Sequence, residues 1–130
     1  MINPSELRIG NYIEINRDQF AKVVTINGES AIVGITTRQN FYLTSSFIRG
    51  IELTPEWLER CGCMKCPPSE DRWQYELELP NNNQLEYDFT TLKGWSFNGV
   101  CLPKDPEYVH QLQNLYFALT GEELTIKEKV

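Results

Sequence analysis

A chain of 130 residues with 41% hydrophobic and 23% charged side chains is large enough to bury a core without metal or disulfide help, and too apolar for intrinsic disorder. Its formal charge of -6 disfavours general binding to phosphate backbones unless a local basic patch overrides it. The acidity belongs to the second half, where residues 61–130 carry eleven acidic and six basic side chains against seven and six in residues 1–60.

Met1 to Arg8 lack the basic cap and apolar run of a signal peptide, and no stretch is apolar for long enough to cross a bilayer. The expected compartment is the cytoplasm, with the four cysteines as reduced thiols.

Residues 11–53 alternate short β-rich runs with turn residues: Tyr12–Ile15, Phe20–Ile26, Ala31–Thr36 and Asn40–Thr44. Asn27-Gly28 suits a two-residue type I′ turn and predicts antiparallel pairing of the second and third runs. Leu7 to Asn11 opens this region, and Ser45 to Ile48 closes it as a small SH3-like β-barrel or curled sheet. Thr54-Pro55-Glu56 then starts a short helix that Gly62 ends, with Trp57, Leu58 and Cys61 on its inward arc.

Cys61, Cys63 and Cys66 lie close together before Pro67-Pro68 and a polar linker. With Cys101 or His110 they offer enough ligands for a tetrahedral metal. Their spacing fits no standard zinc motif, so neither metal nor cofactor is expected. Cys61 and Cys101 instead read as small core residues, and Cys63 and Cys66 as incidental surface thiols.

Residues 72–102 alternate cleanly. Trp73, Tyr75, Leu77 and Leu79 share one face, as do Leu85, Tyr87 and Phe89, then Trp95, Phe97 and Cys101. Pro80-Asn81-Asn82 forms a three-residue hairpin loop with Asn82 left-handed, giving a three-stranded antiparallel meander. The carboxylates of Glu76, Glu78, Glu86 and Asp88 fall on the opposite, wet face.

From Asp105 to Glu123 the signals predict one C-terminal helix, capped by Asp105, with Pro106 at its first position and Gly121 at its end. Tyr108, Val109, Leu112, Leu115, Tyr116 and Leu119 form the arc that covers the meander. The whole is an α+β protein: residues 1–66 as barrel lobe with short helix, residues 67–130 as meander plus helix, packed as one unit.

No nucleophile and base stand in a catalytic pattern, so no catalytic residue is assigned and the chain reads as a non-enzyme. His110, the single histidine, lies on the helix's polar side, solvated or at a contact surface. Phe117 falls among His110, Gln113 and Asn114, away from the core arc. Either the barrel lobe or the linker closes over it, or these four residues form a surface for a protein partner or self-association.

The run from Tyr108 to Leu124, together with Leu7 to Asn11 and Leu53 to Glu56 with Leu58 and Cys61-Gly62, resembles a family of small uncharacterised bacterial proteins often encoded in prophages and mobile elements. Cys63 stands where that family's pattern has an aromatic residue. The resemblance implies genomic context and carries over no activity, substrate or catalytic residue. The function expected is a protein–protein interaction module, an accessory protein of such an element. The alternative is nucleic-acid binding through the barrel, using Phe41, Tyr42, Lys22, Arg38 and Arg49.

Overall fold

The computed structural model describes residues 7–15, 19–27, 32–34, 40–42, 48–66, 74–88 and 94–127. It is a mixed α+β structure whose described strands all pair antiparallel, with one main helix.

In the first part of the chain, β1 (Tyr12–Ile15) lies between β2 (Gln19–Lys22) and β6 (Ile48–Arg49). A second three-stranded sheet runs in the order β3 (Thr25–Asn27), β4 (Ile32–Gly34), β5 (Asn40–Tyr42). The single run expected over Phe20–Ile26 is therefore bent: its first half pairs with β1 and its second with β4. The bend is at Val23, which is 1% exposed and still exchanges backbone bonds with Gly10 and Asn11 at 2.8 Å. Val23 is buried with Leu7, Ile13, Ile15 and Ile48, so it reaches the core while the chain turns into the next sheet.

The antiparallel pairing expected across Asn27-Gly28 is present, with Ile26 opposite Val33. Asn27 itself pairs with Ile32 and so belongs to the strand rather than to the centre of a two-residue turn. Gly28 lies outside the described residues.

The short helix α1 (Pro55–Arg60) forms as its capping signals require. Thr54 Oγ1 accepts from Trp57 N at 3.4 Å, Pro55 takes the first helical position, and Gly62 follows at φ 92°. Trp57, Leu58 and Cys61 are buried.

The expected three-stranded meander is a five-stranded sheet in the order β11-β10-β9-β8-β7. Strands β8 (Gln74–Leu79), β9 (Asn83–Asp88) and β10 (Gly94–Phe97) form its centre. The edges are β7 (Met64–Cys66) and β11 (Val100–Cys101). Tyr75 opposite Tyr87, Leu77 opposite Leu85 and Trp95 opposite Tyr87 make the expected aromatic inner face. Trp73 and Phe89 fall outside the described residues. The β8–β9 loop is Pro80 to Asn82, with φ 63° at both Asn81 and Asn82. Glu76 and Glu86 face each other on the other side, Glu78 beside them.

Cys101 corrects one expectation. Asn98 and Gly99, at φ 50° and 85°, form a two-residue turn that pairs Phe97 with Val100 and Ser96 with Cys101. Reversal at this turn places Cys101 on the Ser96 face, and it is exposed rather than core.

The main helix α2 (Val109–Thr120) starts later than its signals suggest. Val109 N donates to Ile51 O at 2.8 Å and Leu53 N to Glu107 O at 3.3 Å, so the backbone at Tyr108 is held extended against residues 51–53. Asp105 does not cap the helix; its Oδ1 accepts from Trp95 N at 3.0 Å. Gln111 Oε1 caps instead, accepting from Glu107 N at 2.8 Å and Tyr108 N at 3.2 Å. Gly121 ends the helix left-handed at φ 74°, as expected. After Gly121 the described residues form no strand, and Lys127 N donates to Arg60 O and Arg60 Nε to Lys127 O, both at 2.8 Å.

Candidate interaction surface

The periodicity of α2 puts Val109 and Leu112 into the main core with Tyr75, Leu77, Leu85 and Trp95. Leu115 and Tyr116 are half-buried against it, and Leu119 is 40% exposed. The arc thus covers the sheet through its first two turns.

The polar side of the helix is equally occupied. His110 is 1% exposed and Gln113 2%, which corrects the expectation of a solvated histidine. His110 stacks on Tyr108 with ring centroids 5.8 Å apart and an interplanar angle of 10°. Gly50 leaves room for that pair, since a Cβ there would stand 2.7 Å from the Tyr108 ring.

Gln113 bridges to the first sheet. Its Oε1 accepts from Tyr12 N at 2.8 Å and its Nε2 donates to Gly10 O at 3.0 Å, satisfying two backbone groups at the start of β1. At the next residue, Asn114 Oδ1 accepts from Arg8 Nη1 at 2.9 Å and Asn11 Nδ2 at 3.0 Å. Arg8 also pairs with Glu123, and its guanidinium lies 4.2 Å from the centre of the Phe117 ring. Phe117 remains 41% exposed.

Of the four residues singled out in sequence, two are therefore buried between the helix and the first part of the chain. Asn114 is half-buried, and only Phe117 presents an open ring face. Their sequence spacing was readable. Their burial was not, because the groups that bond Gln113 and Asn114 lie 101 to 106 residues away.

Sequence reasoning missed what flanks the helix start. A cleft of about 360 Å³ is walled by Tyr87 and Tyr108, with Glu52, Asp105 and Glu107 around it. A second cleft of about 230 Å³ adjoins it through Asp105 and Pro106, and reaches Lys104, Gln111 and Asn114. Burial pushes the Tyr87 phenol above its ordinary value, and the nearby Asp105 carboxylate adds to the shift. The available signal was the extended Asp105-Pro106-Glu107 stretch, which the sequence reading absorbed into the helix.

Cys61 is a core residue as expected, and Cys63, expected at the surface, is buried as well. Cys61 and Cys63 are 1% and 5% exposed, and burial pushes both thiols up to about 12. Arg60 pulls Cys61 partly back, while Cys61 raises Cys63 further. The Cys66 side chain lies outside the described residues. Among the described residues no three His, Cys, Asp or Glu side chains are grouped to hold a metal, and no helix is long and apolar enough to cross a membrane.

In comparisons with protein-family models, curated proteins and solved structures, nothing matches this chain.

Proposed function

We propose that the chain is a non-enzymatic protein-interaction module of the cytoplasm, an accessory protein of a prophage or mobile element, that docks a partner along one side of α2. The observation that carries this reading is that two neighbouring clefts and an exposed aromatic ring are linked by shared residues. The clefts share Asp105 and Pro106, extend to Asn114, and lead through Arg8 to the exposed ring of Phe117. A half-exposed aromatic ring beside preformed clefts is the kind of anchor that association uses. The non-enzymatic part is supported by chemistry: the one histidine is buried, and Cys61 and Cys63 stay protonated at neutral pH.

For the first part of the chain we read an SH3-like arrangement. Support comes from the bent β2–β3 run serving two three-stranded sheets and from β1 pairing with both β2 and β6. Nucleic-acid binding there has less behind it, because Arg49 is engaged by Glu14 at 3.7 Å and the chain carries a charge of -6. Phe41, Tyr42 and Arg38 contribute nothing to the comparison, since their side chains lie outside the described residues.

The test is capture from a native lysate with wild-type and Phe117→Ala protein side by side, together with mass measurement across a concentration series. A reproducible partner, or self-association, that Phe117→Ala weakens while the fold persists is the expected result. Absence of both partner and self-association would overturn the reading.

A further inference from the structure

We infer that the partner inserts a lysine or arginine side chain into the cleft between Tyr87 and Tyr108; this rests on the interaction-module reading above. The cleft's volume, about 360 Å³, is that of a site for an organic group rather than a bare ion. Its tyrosine rings suit an aliphatic stem and a cationic head, which aromatic faces attract. Glu52, Asp105 and Glu107 line it, and among the described residues no lysine, arginine or histidine does. The charge complementarity therefore runs one way.

A metal ion fits this cleft poorly. Asp105 Oδ1 already accepts from the Trp95 amide, and the three carboxylates are not grouped as metal ligands among the described residues. The walls, by contrast, are fixed before binding. Tyr108 stacks on the His110 ring with the Gly50 backbone against both, while Asp105 is held by β10. Such preorganisation lowers the ordering cost of capturing a flexible side chain.

The experiment is a solution titration of the whole chain, followed by amide resonances, with three probes. These are a short neutral-ended peptide carrying one lysine, its arginine counterpart, and the same peptide with norleucine. Saturable shifts at Gly94, Glu107 and Tyr108 are expected for the cationic peptides and not for norleucine. The double variant Glu52→Gln, Glu107→Gln alters exposed side chains and keeps the fold. It should weaken binding about fivefold or more, and added salt should weaken it further.

No shift at these amides with either cationic peptide, or equal binding to the double variant, would overturn the inference. Spermidine run as a separate arm identifies a free polyamine as occupant if it alone binds, which also overturns it. Loss of association in Phe117→Ala with no peptide binding in the cleft would leave the interaction-module reading standing and remove only this assignment.

Discussion

Gln113, in the second turn of α2, accepts a hydrogen bond from the backbone amide of Tyr12 at 2.8 Å, across 101 residues of chain. The same side chain donates to Gly10 O, so one buried amide serves both a donor and an acceptor of the β1 start. Replacing it with alanine leaves two backbone groups unpaired in a part-buried interface. Gln113→Ala should therefore destabilise the protein by about 2–4 kcal/mol, with Tyr12 losing hydrogen-exchange protection. Chemical denaturation together with exchange measurements checks both.

Arg8 and Phe117 make a weaker contribution, because both remain partly open to solvent. Phe117→Ala should cost about 0.5–1 kcal/mol from the lost cation–π contact, well below the Gln113 effect. A Phe117→Ala loss larger than that of Gln113→Ala would show that the ring is a core element, contrary to its exposure.

Two glycines should fail for different reasons. At Gly50 a methyl group would meet Tyr108 Cγ at 2.7 Å and His110 Cε1 at 3.1 Å, so Gly50→Ala must displace a packed ring pair and should cost about 1–3 kcal/mol. At Gly99 nothing lies within 4 Å, but φ is 85°. Gly99→Ala should cost about 1 kcal/mol from backbone strain alone, and Gly99→Asn less, because asparagine tolerates the left-handed region. Equal losses for Ala and Asn at position 99 would contradict that cause.

The thiols give a pH dependence. Cys61 and Cys63 titrate at about 12 when folded against an ordinary value of 9.0, so the folded state holds protons that the unfolded state releases between those values. Their contribution to stability is complete below pH 9, and falls as the pH rises from 9 towards 12. Denaturation midpoints measured up that range should decline, and the decline should shrink in Cys61→Ala, Cys63→Ala protein. At neutral pH a thiol reagent should modify the exposed Cys101 readily and reach Cys61 and Cys63 only after unfolding.

How much of this was legible follows from range. Gly121, the Pro80 to Asn82 loop, the Thr54 cap and the inner face of Tyr75, Leu77 and Leu85 are set by neighbours in sequence, and pattern reading finds them. The late start of α2 was hidden because Asp105 carries a good capping side chain that the fold uses on Trp95 instead. Cys101 was misplaced by reading through Asn98-Gly99, a hairpin signal as strong as any in the chain. His110 and Gln113 look polar on a helical wheel, and only the packing of His110 beside Tyr108 and Gly50, and of Gln113 on Gly10 and Tyr12, makes that side an interior.

The clasp between Gln113 and the start of β1 also sets an order of events during synthesis. The Gly10 to Tyr12 segment leaves the ribosome about a hundred residues before the side chain that satisfies its backbone exists. Until α2 is made, that stretch must be held by water or by other proteins, since contacts of such separation form late. A nascent chain arrested before residue 113 should thus be the form most open to proteases at its β1 strand, and completion of the helix is the step that closes it.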